Sequence, residues 1–339
     1  MLAASILARE GRCSLDSFKL WSDKSYFFSD DRRSFVAFKT AWGVALSLGD
    51  PAGPAEALPR MIRAFTGFCA DRGWKVAFHQ VLPDLLSIYR GFGYQVLKIG
   101  EEAIVDLDRF AEQTCERRAF RRVQRKFDGA GYLVVQQMPP HPEPLIDELE
   151  QVSHEWLSLP GRRERTFALG RFERSYIRES PVFAVRDPTG RLIAFVNRIR
   201  CFRPGEATVD LMRHRVDAPN GVMEYLFRGV MLAVRQEGYR RFSLGLAPFS
   251  RVGDRAGATL KERAVHHLSE HLNGVFSFKG LAAFKGKFEP EWEERFLIYR
   301  GGALGLTRTA LALRRVTENW ASNPRERSEA VHEEPVLVT

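Results

Sequence analysis

Asp210 and Arg213 stand three residues apart in the run Thr208-Val209-Asp210-Leu211-Met212-Arg213, an acid and a permanent cation set among apolar neighbours. Burial of an unpaired charge there is costly, so a charge kept in such a stretch has either a partner or a purpose. Catalysis is one purpose such a pair can serve. A structural ion pair is the competing reading. On an ideal strand, residues three apart point to opposite faces, which predicts one side chain in the sheet interface and the other in a cleft. A third candidate is Lys285, in the segment from Phe278 to Trp292. If that segment is helical, Lys285 shares a face with Phe278, Leu281 and Ala282 and points inward, while Lys279 and Lys287 face water. An inward lysine binds phosphate or an oxyanion; snorkelling to the surface is the alternative.

Two further sets carry less. Lys98 interrupts the apolar Val96-Leu97-Lys98-Ile99, which predicts an edge strand. His267 and His271 sit at helical spacing beside His266, but no third ligand stands at a matching interval, so solvated histidines and no metal are expected. The strongest charge signal is Arg117, Arg118, Arg121, Arg122, Arg125 and Lys126 against Glu116 alone. Six cations on one short helix repel one another, and a polyanion relieves that repulsion. A solvated face is the competing reading.

These residues need elements to position them. Thr208 onward reads as a buried strand. A Pro219-Asn220-Gly221 connection follows, then a helix in which Met223, Leu226, Phe227, Val230, Met231 and Val234 recur on one face. Asp217 and Pro219 are expected to open that helix and Gly238 to close it. A helix over Asp108 to Lys126, with the stripe Ala111, Cys115, Ala119, Val123 and Phe127, links two strand-and-helix units. The chain therefore divides into a first α/β unit at 1–107, a basic linking helix at 108–130, a second unit at 131–322 and a tail at 323–339 expected to be disordered. A hairpin around Asp30-Asp31, a turn at Asp187-Pro188-Thr189-Gly190 and a helix over Ala258 to Leu272 complete the outline. The fold class is α/β (α+β), and the element order of each half resembles the acyltransferase layout called GNAT. The loop Arg213 to Gly221 has one glycine and a proline that removes a backbone donor, unlike a loop that cradles coenzyme A. No G-x-x-x-x-G-K-[ST], H-E-x-x-H, G-x-S-x-G or G-x-G-x-x-G run is present.

Bulk properties narrow the partners. The 339 residues carry 51 Lys and Arg against 42 Asp and Glu, a net charge of +9, and a pI near 9.6. That balance favours nucleic acid or an acidic membrane surface. Cys13, Cys69, Cys115 and Cys201 lie far apart, which suggests neither a zinc module nor a disulfide framework and fits a reducing compartment. No apolar run reaches the roughly 20 residues that span a bilayer, and the N-terminal apolar segment is too short for a signal peptide.

Taken together, Val209-Asp210-Leu211-Met212-Arg213, Pro219-Asn220-Gly221-Val222-Met223-Glu224-Tyr225-Leu226, Leu244-Gly245-Leu246-Ala247-Pro248 and Gly280-Leu281 through Lys285 to Pro290-Glu291-Trp292 resemble the cytosolic C-terminal domain of the aminoacyl-phosphatidylglycerol synthases, the multiple peptide resistance factor family. Phe28-Ser29 and Tyr89-Arg90-Gly91-Phe92-Gly93-Tyr94 agree in the first half. The resemblance implies tandem GNAT-like folds with a tunnel between them, and aminoacyl transfer from charged tRNA to phosphatidylglycerol of the bacterial inner membrane, on its cytoplasmic side. It implies no cofactor, and an upstream transmembrane flippase region of the same protein. Asp210, Arg213 and Lys285 become the expected catalytic residues. Lys98, Asn220, Glu224 and the arginines 117, 118, 121, 122 and 125 become the expected substrate contacts. A lysyl donor needs an acidic partner in its pocket; none is placed by the sequence, which favours alanyl-tRNA. A Fem-type aminoacyltransferase acting on a peptidoglycan precursor, and a non-catalytic tRNA- or lipid-binding module, are the alternatives.

Overall fold

The computed structural model describes residues 2–250 and 278–318. Its strands are β1 (Ser25–Phe28), β2 (Phe35–Ala41), β3 (Val44–Leu48), β4 (Lys75–Val81), β5 (Gln95–Asp106), β6 (Leu133–Gln137), β7 (Val182–Arg186), β8 (Leu192–Ile199), β9 (Glu206–His214), β10 (Arg241–Pro248) and β11 (Glu291–Tyr299). They form one sheet in the order β1-β2-β3-β4-β11-β5-β10-β9-β8-β7-β6. The helices are α1 (Leu2–Glu10), α2 (Leu58–Asp71), α3 (Leu86–Gly91), α4 (Arg118–Gly129), α5 (Glu143–Ser158), α6 (Arg174–Arg178), α7 (Val222–Gln236), α8 (Phe278–Gly286) and α9 (Gly302–Glu318).

One plan occurs twice. The series β2-β3-α2-β4-α3-β5 recurs as β8-β9-α7-β10-α8-β11, each with an antiparallel hairpin, a helical crossover to a parallel strand and a closing antiparallel strand. The closing strands are exchanged: β11 pairs with β4, β5 pairs with β10, and β5 and β11 pair with each other. The fold is thus mixed α/β with two GNAT-like halves knitted into one sheet.

The apolar face read for α7 holds, with Leu226, Phe227, Val230, Met231 and Val234 fully buried; each such side chain contributes roughly 1.5–3 kcal/mol of burial. Its start is later than expected. Gly221 takes a left-handed φ of 96°, and the first helical residue is Val222, so Asp217 and Pro219 lie in the approach. The linking helix also differs from expectation. An α turn at Leu107–Arg109 widens into a π turn at Phe110–Thr114, and the chain breaks before α4. The break follows from side-chain capture: the Thr114 hydroxyl donates to Glu289 at 2.9 Å, and Arg117 pairs with the same carboxylate from an extended backbone. The buried stripe of α4 is therefore Phe120, Val123 and Phe127, with Phe127 stacked on Tyr225 at 4.8 Å, while Ala119 is exposed. The edge placement of Lys98 is overturned, because β5 lies between β11 and β10. The predicted helix over Ala258 to Leu272, the three histidines and the tail fall outside the described residues. Among the described residues, no helix is long and apolar enough to cross a membrane, and no group of His, Cys, Asp and Glu has the makings of a metal site.

Candidate functional site

The centre of the site is a break in strand alternation. Val196 pairs with Met212 and Arg198 with Val209, so Asp210 and Leu211 together oppose Asn197. This is a β-bulge, and it re-aims side chains. The Asn197 side chain fixes it by accepting the Leu211 N–H at 2.9 Å. Val209 and Met212, three apart, now both pack on the α7 side. Leu211 packs beneath α5, where Arg213 meets Trp156 and Asp210 meets Tyr176 of α6. The expectation that Asp210 and Arg213 face opposite ways fails for this reason, and the structure brings them to the same side.

Asp210 is enclosed by groups that the sequence reading passed over. Its Oδ1 accepts the Gly170 N–H at 3.0 Å and its Oδ2 accepts the Tyr176 hydroxyl at 2.8 Å. Trp21 closes the pocket by packing edge-on against Tyr176 at 4.9 Å. Burial pushes the carboxyl up to about 6, and the Gly170 amide, the Tyr176 hydroxyl and Arg213 pull against that rise. Tyr176 is itself pushed well above the usual phenol range by burial and then by the charge of Asp210, so it stays a neutral donor. Arg213 is 6% exposed. Its guanidinium lies 3.8 Å over the Trp156 ring and donates to Glu164 at 3.0 Å, while its Nε is buried with no hydrogen-bond partner among the described residues. Glu164, Gly170 and Tyr176 come from, or just after, the irregular run between α5 and α6. A connection that long in a compact domain was the available signal.

Lys285 approaches from the other wall. β9 and β10 are hydrogen-bonded only from Glu206–Arg241 to Thr208–Ser243 and then part. Asp210 lies two residues past Thr208 on one strand, and Gly245 two residues past Ser243 on the other. The Lys285 ammonium donates to the carbonyls of Gly245 and Leu246 at 3.0 and 2.7 Å. At 3% exposure, burial lowers it to about 7, and Glu102 opposes the shift. Glu102 in turn accepts from Ser14, Ser243 and Arg295, which keep its carboxyl below the usual range despite burial.

The remaining predicted residues lie elsewhere. Lys98 is buried between Glu101 at 2.7 Å and Glu294 at 3.2 Å. Glu224, in the first turn of α7, pairs with Lys287 at 2.6 Å. Asn220 is exposed, and its carbonyl accepts from Lys126 at 2.6 Å. Arg118, Arg121, Arg122 and Arg125 line the outer face of α4, and Arg117 is tied to Glu289.

Over residues 4–299 the sequence matches the family described as phosphatidylglycerol lysyltransferase, C-terminal. The chain belongs to that family. Similar proteins include the phosphatidylglycerol lysyltransferase of Bacillus subtilis (strain 168), 34% identical over 297 residues, with 88% of this chain and 34% of the relative covered. The protein of the same name from Staphylococcus aureus (strain MRSA252) is 34% identical over 278 residues, covering 82% and 33%. The chain therefore spans about a third of the length of the curated relatives it matches. Among solved structures, L-PGS from Bacillus licheniformis aligns with a TM-score of 0.80 at 32% identity, covering 93% of this chain and 97% of that one. A DUF2156 C-terminal domain from Agrobacterium fabrum aligns at 0.81 with 31% identity, covering 95% and 98%. FemX, at 0.57 and 10% identity, shares the fold. In this member of the lysyltransferase C-terminal family, the parting of β9 and β10 leaves an acid and a guanidinium beyond the last paired residues of one strand and an amine with depressed basicity on the backbone of the other.

Proposed function

We propose that this domain transfers an aminoacyl group from charged tRNA to phosphatidylglycerol, on the cytoplasmic side of the bacterial inner membrane. One observation supports the reading: past the last pair of β9 and β10, a carboxyl raised to about 6 stands on β9 and an amine lowered to about 7 is held by the carbonyls of β10. Asp210 is ionised at neutral pH and poised to accept a proton, and Lys285 retains a protonated fraction able to meet negative charge. In the proposed step a terminal hydroxyl of the glycerol headgroup attacks the aminoacyl ester carbonyl, and Asp210 takes the hydroxyl proton. Lys285 or Arg213 holds the resulting oxyanion or the lipid phosphate. Collapse of the tetrahedral intermediate breaks the bond to the terminal ribose of the tRNA, and the proton returns to that ribose oxygen. One ester forms and one is lost, and positioning supplies much of the rate.

The outer arginines of α4 suit the tRNA phosphate backbone, which carries affinity without sequence readout. We assign Arg118, Arg121, Arg122 and Arg125 to that contact, with Arg117 and Asn220 beside them; Glu224, paired with Lys287, and Lys98, buried between Glu101 and Glu294, act on substrate only through the groups they hold. By this reading a transmembrane flippase region precedes the domain in the full-length protein. The relatives, named phosphatidylglycerol lysyltransferases, bring a lysyl donor beside the alanyl donor favoured by the sequence. Incubation with phosphatidylglycerol vesicles and one charged tRNA at a time, followed by mass spectrometry of the lipid, separates the two. Aminoacyl-phosphatidylglycerol from one donor is expected. Binding of tRNA and lipid without any such product overturns the transfer, and product found only on an amine acceptor favours Fem-type chemistry.

A further inference from the structure

The outward face of α9 is not that of an ordinary surface helix. Thr309, Ala312 and Val316 are buried, whereas Leu304 is 85% exposed and Leu311 is 46% exposed. At about 100° per residue, Leu304, Arg308, Leu311 and Arg315 fall within roughly 60° of one another. Two leucines thus stand together on one exposed flank of the helix with arginines beside them. The helix carries a single acid, Glu318, at its end. Globular proteins place polar residues on such an exposed flank. Leucine flanked by arginine is the pattern of a helix that lies in a headgroup layer.

Two other elements extend this face. Trp42, at the β2–β3 turn, is 61% exposed, and the preceding Ala41 packs into the same cluster as Ala312, Leu313 and Val316. By the same C-terminal half of α9, Thr166 donates to the carbonyls of Thr317 at 3.0 Å and Val316 at 2.8 Å. Three residues further on, Leu169 is exposed, and its neighbour Gly170 bonds Asp210. Four residues of chain reach at most about 14 Å, so the apolar surface ends close to the acid.

We propose that α9, Trp42 and Leu169 form the face on which the domain lies against a bilayer rich in anionic lipid. The arginines sit over headgroup phosphates, and the leucines and indole enter the acyl boundary. The choice of occupant rests on the proposed lipid acceptor and on charge complementarity: α9 carries three arginines against one acid, and the face leads to the site where a headgroup would react.

Co-sedimentation of the full chain with vesicles of phosphatidylglycerol or of phosphatidylcholine tests the proposal. Binding to the anionic vesicles alone is expected, weakening as salt is raised. The pairs Leu304→Ser with Leu311→Ser and Arg308→Glu with Arg315→Glu are each expected to weaken it at least tenfold with the circular dichroism spectrum unchanged. Trp42→Phe should remove a blue shift in emission that the wild type shows on binding. Wild-type binding by both pairs, or a dimer that the serine pair dissociates, overturns the proposal. Aminoacyl transfer to short-chain phosphatidylglycerol, dispersed below its micelle concentration, should survive in these variants. If the wild type makes no lipid product while the vesicle results hold, the transfer reading falls and the docking face stands. If product forms but the variants bind vesicles like wild type, only the docking face falls.

Discussion

At the residue scale, Asp210 and Lys285 both sit in environments that disfavour their charge, so each links function to stability. Asp210 is raised from its ordinary 3.8 to about 6. Between those values the native state binds a proton that the unfolded chain has released, so the fold loses stability as pH rises through that window. Asp210→Asn removes this dependence. The stability of the variant relative to wild type should therefore move in its favour by roughly 2 kcal/mol between pH 4 and pH 7, read from denaturant midpoints. Aminoacyl transfer should fall by about 10²–10⁴-fold, the usual contribution of a positioned base. Retention of activity would remove Asp210 from the chemistry. Lys285 has the opposite sign. Its amine drops from 10.5 to about 7, so the unfolded chain holds the extra proton between those values and wild-type stability rises with pH across that interval. Lys285→Met should flatten that rise and abolish transfer. A rise of equal slope in the variant would show that the amine is solvated.

At the element scale, the site depends on backbone features that leave little trace in a sequence. Periodicity located α7 and the inward turn of Lys285, because apolar spacing at 3.6 residues is a strong local signal. The pairing of Asp210 with Arg213 on one side was not legible, since an ideal two-residue alternation separates them and a bulge depends on the partner strand. Nor was the run that carries Glu164 and Gly170, which has no periodicity to read. The basic segment was legible as charge and misread as one continuous helix, because capture of Thr114 and Arg117 by Glu289 is a contact across 175 residues of chain. Gly170 gives this scale its test. A Cβ there would lie 1.8 Å from Asp210 Oδ2, closer than any real contact, and 3.0 Å from the Trp21 ring, so Gly170→Ala must displace the carboxylate or the strap of residues 159–173 between α5 and α6. The expected result is at least a tenfold loss in kcat/KM with the acidic limb of its pH profile shifted. An unaltered profile would mean that the strap moves freely and leaves Asp210 in place.

At the scale of the whole molecule, the site is assembled where the two halves trade strands. Glu102 on β5 accepts from Ser243 on β10 and from Arg295 on β11, and it opposes the loss of charge on Lys285 just ahead of β11. The charge that acts on the amine thus comes from the first half and is held in place by groups of the second. The exchange also governs folding. Residues 1–130 alone would hold β4 and β5 with no β11 between them, and residues 131–339 would hold β10 and β11 without the β5 that each pairs with. Each half would then expose unpaired backbone along apolar strands, a template for aggregation. We expect either half expressed alone to be insoluble or to unfold without a sharp transition. Co-expression of the two should restore one soluble complex with a single cooperative transition, as the intact chain should show. A sharp calorimetric transition from 131–339 by itself would mean that the second half builds its sheet unaided and that the exchange joins two already stable domains. In that case Lys285, without the opposing charge of Glu102, should lose its proton at a still lower pH, and the rise of stability with pH in the isolated half would begin below pH 7.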